Sequence, residues 1–177
     1  PTACLMAQAG HDVVGVDVRE SVVEHLRNGV IHITDEHGLV EVAKSVLGSG
    51  ALQVSTAPVE ADAFIVCVPT PLTMTDRSGA EMNSGGFAEL EAGLAQVAAG
   101  TEGSIKGLSL VRNSTDRPAV DLSYVRAAVE SIGPVLRPGN LVIIESTVPP
   151  GTIEHVVLPI VERYGWTRET VLLAHAP

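Results

Sequence analysis

Val13-Val14-Gly15-Val16-Asp17-Val18 is an aliphatic run that carries a carboxylate near its end. A strand buried on both faces of a sheet reads this way, without polar alternation. The residues before it, Pro1-Thr2-Ala3-Cys4-Leu5-Met6-Ala7-Gln8-Ala9, are mostly small and predict a helix, with Pro1 in its first turn and Gly10 as its stop. Residues 21–28 predict a second helix closed by Gly29, and 39–47 a third closed by Gly48. Leu52-Gln53-Val54 predicts a short strand before the turn at Pro58. Ala63-Phe64-Ile65-Val66-Cys67-Val68 predicts another, ended by Pro69-Thr70-Pro71. Further on, Asp121 is placed to cap a helix over 122–136, where Val125, Ala128, Val129 and Ile132 recur at helical spacing. Leu141-Val142-Ile143-Ile144 predicts a buried strand running into Glu145-Ser146-Thr147. A helix over 151–164, kinked at Pro159, and a last strand over 171–174 complete the series.

Strands that alternate with helices, each strand a continuous aliphatic run, predict an α/β fold with a doubly wound parallel sheet. Such sheets bind ligands at the carboxyl ends of their strands. Asp17, Thr70 and Thr147 stand at those ends, so topology alone converges them on one edge. The segment 72–120 breaks the rhythm with Ser78-Gly79, Ser84-Gly85-Gly86 and Asn113-Ser114-Thr115-Asp116, although Leu90, Leu94 and Val97 share a helical face within 87–99. Loops of this length are uncommon inside compact domains, so 72–120 reads as an atypical insertion.

Composition narrows the function. The 177 residues are 45% hydrophobic, 18% charged and only 3% aromatic, which predicts one domain, or part of one, with an aliphatic core. A formal net charge of −10 argues against nucleic acid and against an anionic membrane surface. No apolar run approaches the roughly 20 residues of a membrane helix. Cys4 and Cys67 have neither zinc spacing nor the look of a disulfide framework, so a reducing, cytoplasmic setting is the expectation. The six histidines show no paired ligand spacing, and no metal site is expected. Ser146 lacks the G-x-S-x-G context of a hydrolase nucleophile. The chain opens at Pro1 without an initiator Met and closes on a strand, and reads as a fragment.

Three motifs carry chemistry. An acid at a strand end can accept both hydroxyls of an adenine ribose and repel the extra phosphate of NADP, so Asp17 favours NAD, while Arg19 nearby could receive that phosphate. The competing reading is that Asp17 caps the next helix. Cys67-Val68-Pro69-Thr70-Pro71 offers the Thr70 hydroxyl on a stiff crevice wall, or is only a rigid turn. Glu145-Ser146-Thr147-Val148-Pro149-Pro150-Gly151-Thr152 could hold an anionic group or a water, or could simply cap the following helix through Ser146 or Thr147. A glycine-rich phosphate loop is not present, and Gly15 alone does not make one.

The ordered set Gly15-Val16-Asp17, Asn28-Gly29-Val30-Ile31-His32-Ile33, Ser55-Thr56-Ala57-Pro58-Val59-Glu60-Ala61-Asp62-Ala63, Val68-Pro69-Thr70-Pro71, Asp121-Leu122-Ser123-Tyr124-Val125, Pro134-Val135-Leu136-Arg137-Pro138-Gly139 and Glu145-Ser146-Thr147 resembles the amino-terminal domain of the UDP-glucose/GDP-mannose dehydrogenase family. The Ile31-His32-Ile33 loop is most similar to its UDP-N-acetyl-D-mannosamine dehydrogenases. The resemblance implies a Rossmann-like NAD-binding domain over 1–177, lacking its first strand and its glycine-rich loop. It implies a parent enzyme that oxidises the C6 hydroxyl of a UDP-sugar to a uronate with two NAD, through a thiohemiacetal on a catalytic cysteine. By that resemblance Asp17 holds the adenine ribose, Thr70 and Thr147 touch NAD, and Thr147 positions a catalytic water with Glu145 in support. The partner is the nucleotide sugar, and the full-length parent is a homodimer. The family's Pro-Glu acid would begin at Pro177, and its Lys, Asn and Cys would lie further on, so the fragment is expected to be inactive. UDP-glucose, GDP-mannose and a non-catalytic nucleotide-binding role are the alternatives. The family's Glu-Pro-Gly-Leu turn is Glu36-His37-Gly38-Leu39 here.

Overall fold

The computed structural model describes residues 1–31, 38–75, 81–82 and 119–177. Its first unit begins with helix α1 (Thr2–Gln8), which buries Cys4 and Ala7. Small side chains on that face let α1 lie close to helix α3 (Leu39–Ser49), whose Leu39, Ala43 and Val46 complete a small core with Leu52. Between them run strand β1 (Val13–Val16) and the amphipathic helix α2 (Glu20–Arg27), which buries Val23. Strand β2 (Leu52–Ser55) pairs parallel with β1, Val13 opposite Leu52 and Val16 opposite Ser55.

The second unit is a three-stranded parallel sheet in the order β3 (Ala63–Val66), β7 (Leu141–Ile144), β8 (Leu172–His175). Helix α4 (Ser123–Ile132) covers it with Val125, Val129 and Ile132, at the i, i+4, i+7 spacing of a single helical stripe. A 3₁₀ turn (Gly133–Val135) follows α4. Asp121 Oδ1 accepts the N–H of Ser123 at 2.8 Å, which satisfies a helix-start donor and holds the carboxyl below its ordinary range. Val142, Ile144, Val157, Val161 and Val171 form the centre of this core, with Phe64 and Val66 at its margin. The core is aliphatic, as the composition predicts.

The residues between β3 and α4 begin and end in an antiparallel sheet. Strand β4 (Leu72–Thr75) lies between β5 (Glu81–Met82) and β6 (Ala119–Val120), with Leu72 opposite Val120 and Thr73 opposite Ala119. The helix expected over 87–99 lies outside the described residues, as does the turn at Glu36-His37.

The expected parallel α/β architecture is present, and it is Rossmann-like. Among the described residues the parallel strands fall into two sheets instead of one, because β1 pairs only with β2 and β3 only with β7. Several boundaries also differ from expectation: β1 ends at Val16, and the helix expected over 122–136 ends at Ile132 before the 3₁₀ turn. Helix α3 passes through Gly48 and stops at Gly50, whose φ of 78° supplies the left-handed turn. Strand β3 ends at Val66, because the chain beyond it turns to meet Ser146. The helix expected over 151–164 is a wide π turn (Ile153–Val157) followed by α5 (Leu158–Arg163). Pro159 lacks an N–H and crowds the carbonyl four residues back, so it sits at the start of α5 and the wider turn takes up the mismatch.

Candidate cofactor site

Sequence places Asp17, Thr70 and Thr147 at strand ends, and the fold keeps them there. The β1–β2 ladder extends one bond past β1, from Asp17 N–H to the carbonyl of Ser55 at 3.2 Å. This fixes the Asp17 backbone at the sheet edge. Its carboxylate is one-third exposed and faces Arg19. The Arg19 backbone N–H donates to Oδ1 at 2.9 Å, Nε to Oδ1 at 3.2 Å and Nη2 to Oδ2 at 3.3 Å. Hydrogen bonding and charge from Asp17 raise the guanidinium above its ordinary range. The residue just before α2 is thus tied to the strand end by the Asp17 side chain, which does not itself cap the helix.

At the carboxyl ends of β3 and β7 the two chains are stitched together. Glu145 N–H and Ser146 N–H both donate to Val66 O, at 3.0 and 3.3 Å. The buried Ser146 hydroxyl accepts Val68 N–H at 2.9 Å and donates to Val68 O at 2.7 Å. Ser146 therefore fastens the exit of β3 and does not cap a helix. Beyond that staple, Thr70 Oγ1 donates to Thr147 O at 2.9 Å. The structure thereby brings Thr70 and Thr147 together on one rim, with Thr147 exposed and Thr70 half-buried. His175 closes the same rim, its Nε2 lying 3.3 Å from Ser146 O.

Glu145 is the link that sequence reading did not resolve. Thr2 Oγ1 donates to Glu145 Oε1 at 3.0 Å, and Cys67 Sγ donates to Oε2 at 2.9 Å. One carboxylate thus joins the first residue of α1, the residue after β3 and the end of β7. This bond from Thr2 connects the two units at the carboxyl edge of β7. The partners lie 143 and 78 positions away, so no local signal could have revealed them.

A carboxylate at one parallel strand end and two hydroxyl-bearing residues at two others suit an elongated polar ligand with a diol. The residues therefore fit a dinucleotide, with Asp17 as acceptor for ribose hydroxyls and the Thr70–Thr147 rim as hydrogen-bonding wall. Among the described residues no group of three or more His, Cys, Asp or Glu side chains is placed to hold a metal. No helix among them is long and apolar enough to cross a membrane.

Known proteins carry the same architecture. The family model described as "UDP-glucose/GDP-mannose dehydrogenase family, NAD binding domain" matches residues 1–102 and 110–177. The UDP-N-acetyl-D-mannosamine dehydrogenase of Methanococcus maripaludis is 36% identical over 177 residues, which is 100% of this chain and 31% of that protein. The solved UDP-N-acetyl-mannosamine dehydrogenase of Staphylococcus aureus superposes with a TM-score of 0.70 at 34% identity, covering 99% of this chain and 33% of that one. The corresponding Pyrococcus horikoshii structure gives a TM-score of 0.70 at 30% identity, over 100% of this chain and 33% of that one. The chain thus spans about a third of the length of these relatives. With a Rossmann-like fold, a strand-end acid and a family match over nearly its whole length, the chain belongs to the UDP-glucose/GDP-mannose dehydrogenase family as an NAD-binding domain, and its cofactor is NAD.

Proposed function

We propose that the chain is the cofactor domain of an enzyme that oxidises the C6 hydroxyl of a UDP-sugar, UDP-N-acetyl-D-mannosamine, to a uronate. The observation that carries this reading is the placement of Asp17, Thr70 and Thr147 at the carboxyl ends of β1, β3 and β7. The names of the relatives at 34–36% identity support the sugar. NAD, when bound, supplies the hydride acceptor. The residues of this chain orient it: Asp17 accepts the adenine ribose hydroxyls, and Thr70 and Thr147 hydrogen-bond along its length. Thr147, exposed at the rim, positions the water that completes the second oxidation. Glu145 supports it from behind, by holding α1 and the β3 exit in place through Thr2 and Cys67.

Among the described residues β1 pairs only with β2 and β3 only with β7, and the edges this leaves support a further element of this reading. A parallel strand between them would join the two sheets into one, and its glycine-rich turn would lead into α1, beside Glu145. The pairing of Leu72 with Val120 supports reading 72–120 as an insertion whose two ends meet. The thiol nucleophile and the sugar-nucleotide site belong, on this reading, to the remaining two-thirds of a homodimeric parent. The described residues alone therefore do not turn over. Two free thiols, Cys4 and Cys67, suit a cytoplasmic setting.

The test is NADH formation by the full-length gene product with UDP-N-acetyl-D-mannosamine, UDP-glucose and GDP-mannose in parallel. Two NADH per sugar, with the first substrate preferred at least tenfold in kcat/KM, is the expected result. Preference for another sugar nucleotide would reassign the substrate. No turnover with any of them would leave nucleotide binding as the function.

A further inference from the structure

At the end of β1 the two groups that discriminate the two nicotinamide dinucleotides sit side by side. Asp17 is the kind of group that receives ribose hydroxyls, and its negative charge would repel a 2′-phosphate. Arg19 meets that carboxylate with both ends of its fork, Nε and Nη2, at 3.2 and 3.3 Å. The pair is close to neutral as a unit, so a guanidinium that reaches a 2′-phosphate while staying beside Asp17 offsets the carboxylate's repulsion. The Arg19 side chain is 69% exposed, and an exposed ion pair is weak in water. Its fork is therefore cheap to redirect to a stronger acceptor. A phosphate monoester carries more charge than a carboxylate and offers three acceptor oxygens, a geometry that guanidinium matches well. The backbone N–H of Arg19 would still hold Asp17 in place, because that bond at 2.9 Å does not involve the guanidinium.

We infer that Arg19 is a specificity-determining residue that admits NADP as well as NAD, by turning its fork toward the 2′-phosphate from its place beside Asp17. The inference rests on the dinucleotide role proposed for the β1 end. It assigns Asp17 to the hydroxyls of NAD and Arg19 to the phosphate of NADP, at one site.

The test is calorimetric titration of the full-length protein with NAD and, separately, NADP, for wild type, Arg19→Ala and Arg19→Gln. Binding of both dinucleotides to wild type, with NADP within about 100-fold of NAD, is expected. Both variants should lower the NADP-to-NAD affinity ratio about tenfold or more, since a charge-assisted contact to phosphate is lost. Binding of NAD without NADP would overturn the inference and leave the NAD site standing. An unchanged ratio in both variants would overturn it equally. Binding of neither dinucleotide to wild type would remove the dinucleotide role of the β1 end, and the inference with it.

Discussion

Cys67 should be an exposed thiol that hardly reacts. It follows the last residue of β3, and its Sγ donates to Glu145 Oε2 at 2.9 Å. Partial burial disfavours its thiolate most, and the hydrogen bond to Glu145 and the negative charge there add to the effect, so the thiol is pushed up to about 12. An ordinary cysteine titrates near 8.5, which leaves about one in four as thiolate at pH 8. With the raised value the fraction is about one in ten thousand. Thiolate is the form that alkylates, so iodoacetamide should modify Cys67 roughly two-thousandfold more slowly than free cysteine. Peptide mass spectrometry over a pH series resolves Cys67 from the buried Cys4. Glu145→Gln removes the negative charge but leaves the partial burial. The rate should rise clearly while remaining below that of free cysteine. A wild-type rate within tenfold of free cysteine, or no response to Glu145→Gln, would refute the carboxylate–thiol link. The folded thiol ionises at higher pH than the unfolded one, so its contribution to stability is intact below about pH 8.5 and is lost as pH rises toward 12.

Two packing sites give sharper stability predictions. A methyl added at Gly133 would lie 2.3–2.6 Å from ring carbons of Tyr164, whose hydroxyl is anchored on Glu130 O at 3.0 Å. Gly133→Ala should cost about 1–3 kcal/mol in urea unfolding, and the cost should shrink in a Tyr164→Ala background. Asn140 is buried, donates to Ala61 O at 2.8 Å and Asp62 O at 3.3 Å, and accepts Arg137 N–H at 2.7 Å. Asn140→Ala removes the side-chain partners of Ala61 O and Arg137 N–H at the entry to β3 and β7, while Asp62 O keeps the N–H of Leu141 at 3.1 Å, and should lower stability by about 1–3 kcal/mol in the same assay.

Much of this architecture is legible locally. The aliphatic runs at Val13, Ala63 and Leu141 are strands because nothing polar interrupts them, and the α4 stripe is a helix because its apolar residues recur at one face. Their order predicts which residues reach the carboxyl edge of the strands, and Thr70 and Thr147 are hydrogen-bonded there. Chain stops are harder to read. Gly48 and Gly50 are both plausible helix terminators, and only the backbone shows that Gly50 takes the left-handed turn. Strand β3 stops two residues early because Ser146, 78 positions away, captures Val68. Glu145 illustrates the same limit for the site. A resemblance suggests it supports catalysis, but its ties to Thr2 and Cys67 arise from the tertiary fold alone. The split of the parallel strands into two sheets is likewise invisible to periodicity, which reports burial and not pairing.

The central claim is that the carboxyl edge of these parallel strands holds NAD, with Asp17 on the adenine ribose. The most direct measurement is a crystal structure of the full-length protein with NAD bound. We expect the adenine ribose within hydrogen-bond distance of the Asp17 carboxylate, the dinucleotide running past Thr70 and Thr147, and a parallel strand seated between β1 and β3. Density for NAD away from Asp17, or β1 and β3 with no strand between them, would contradict it.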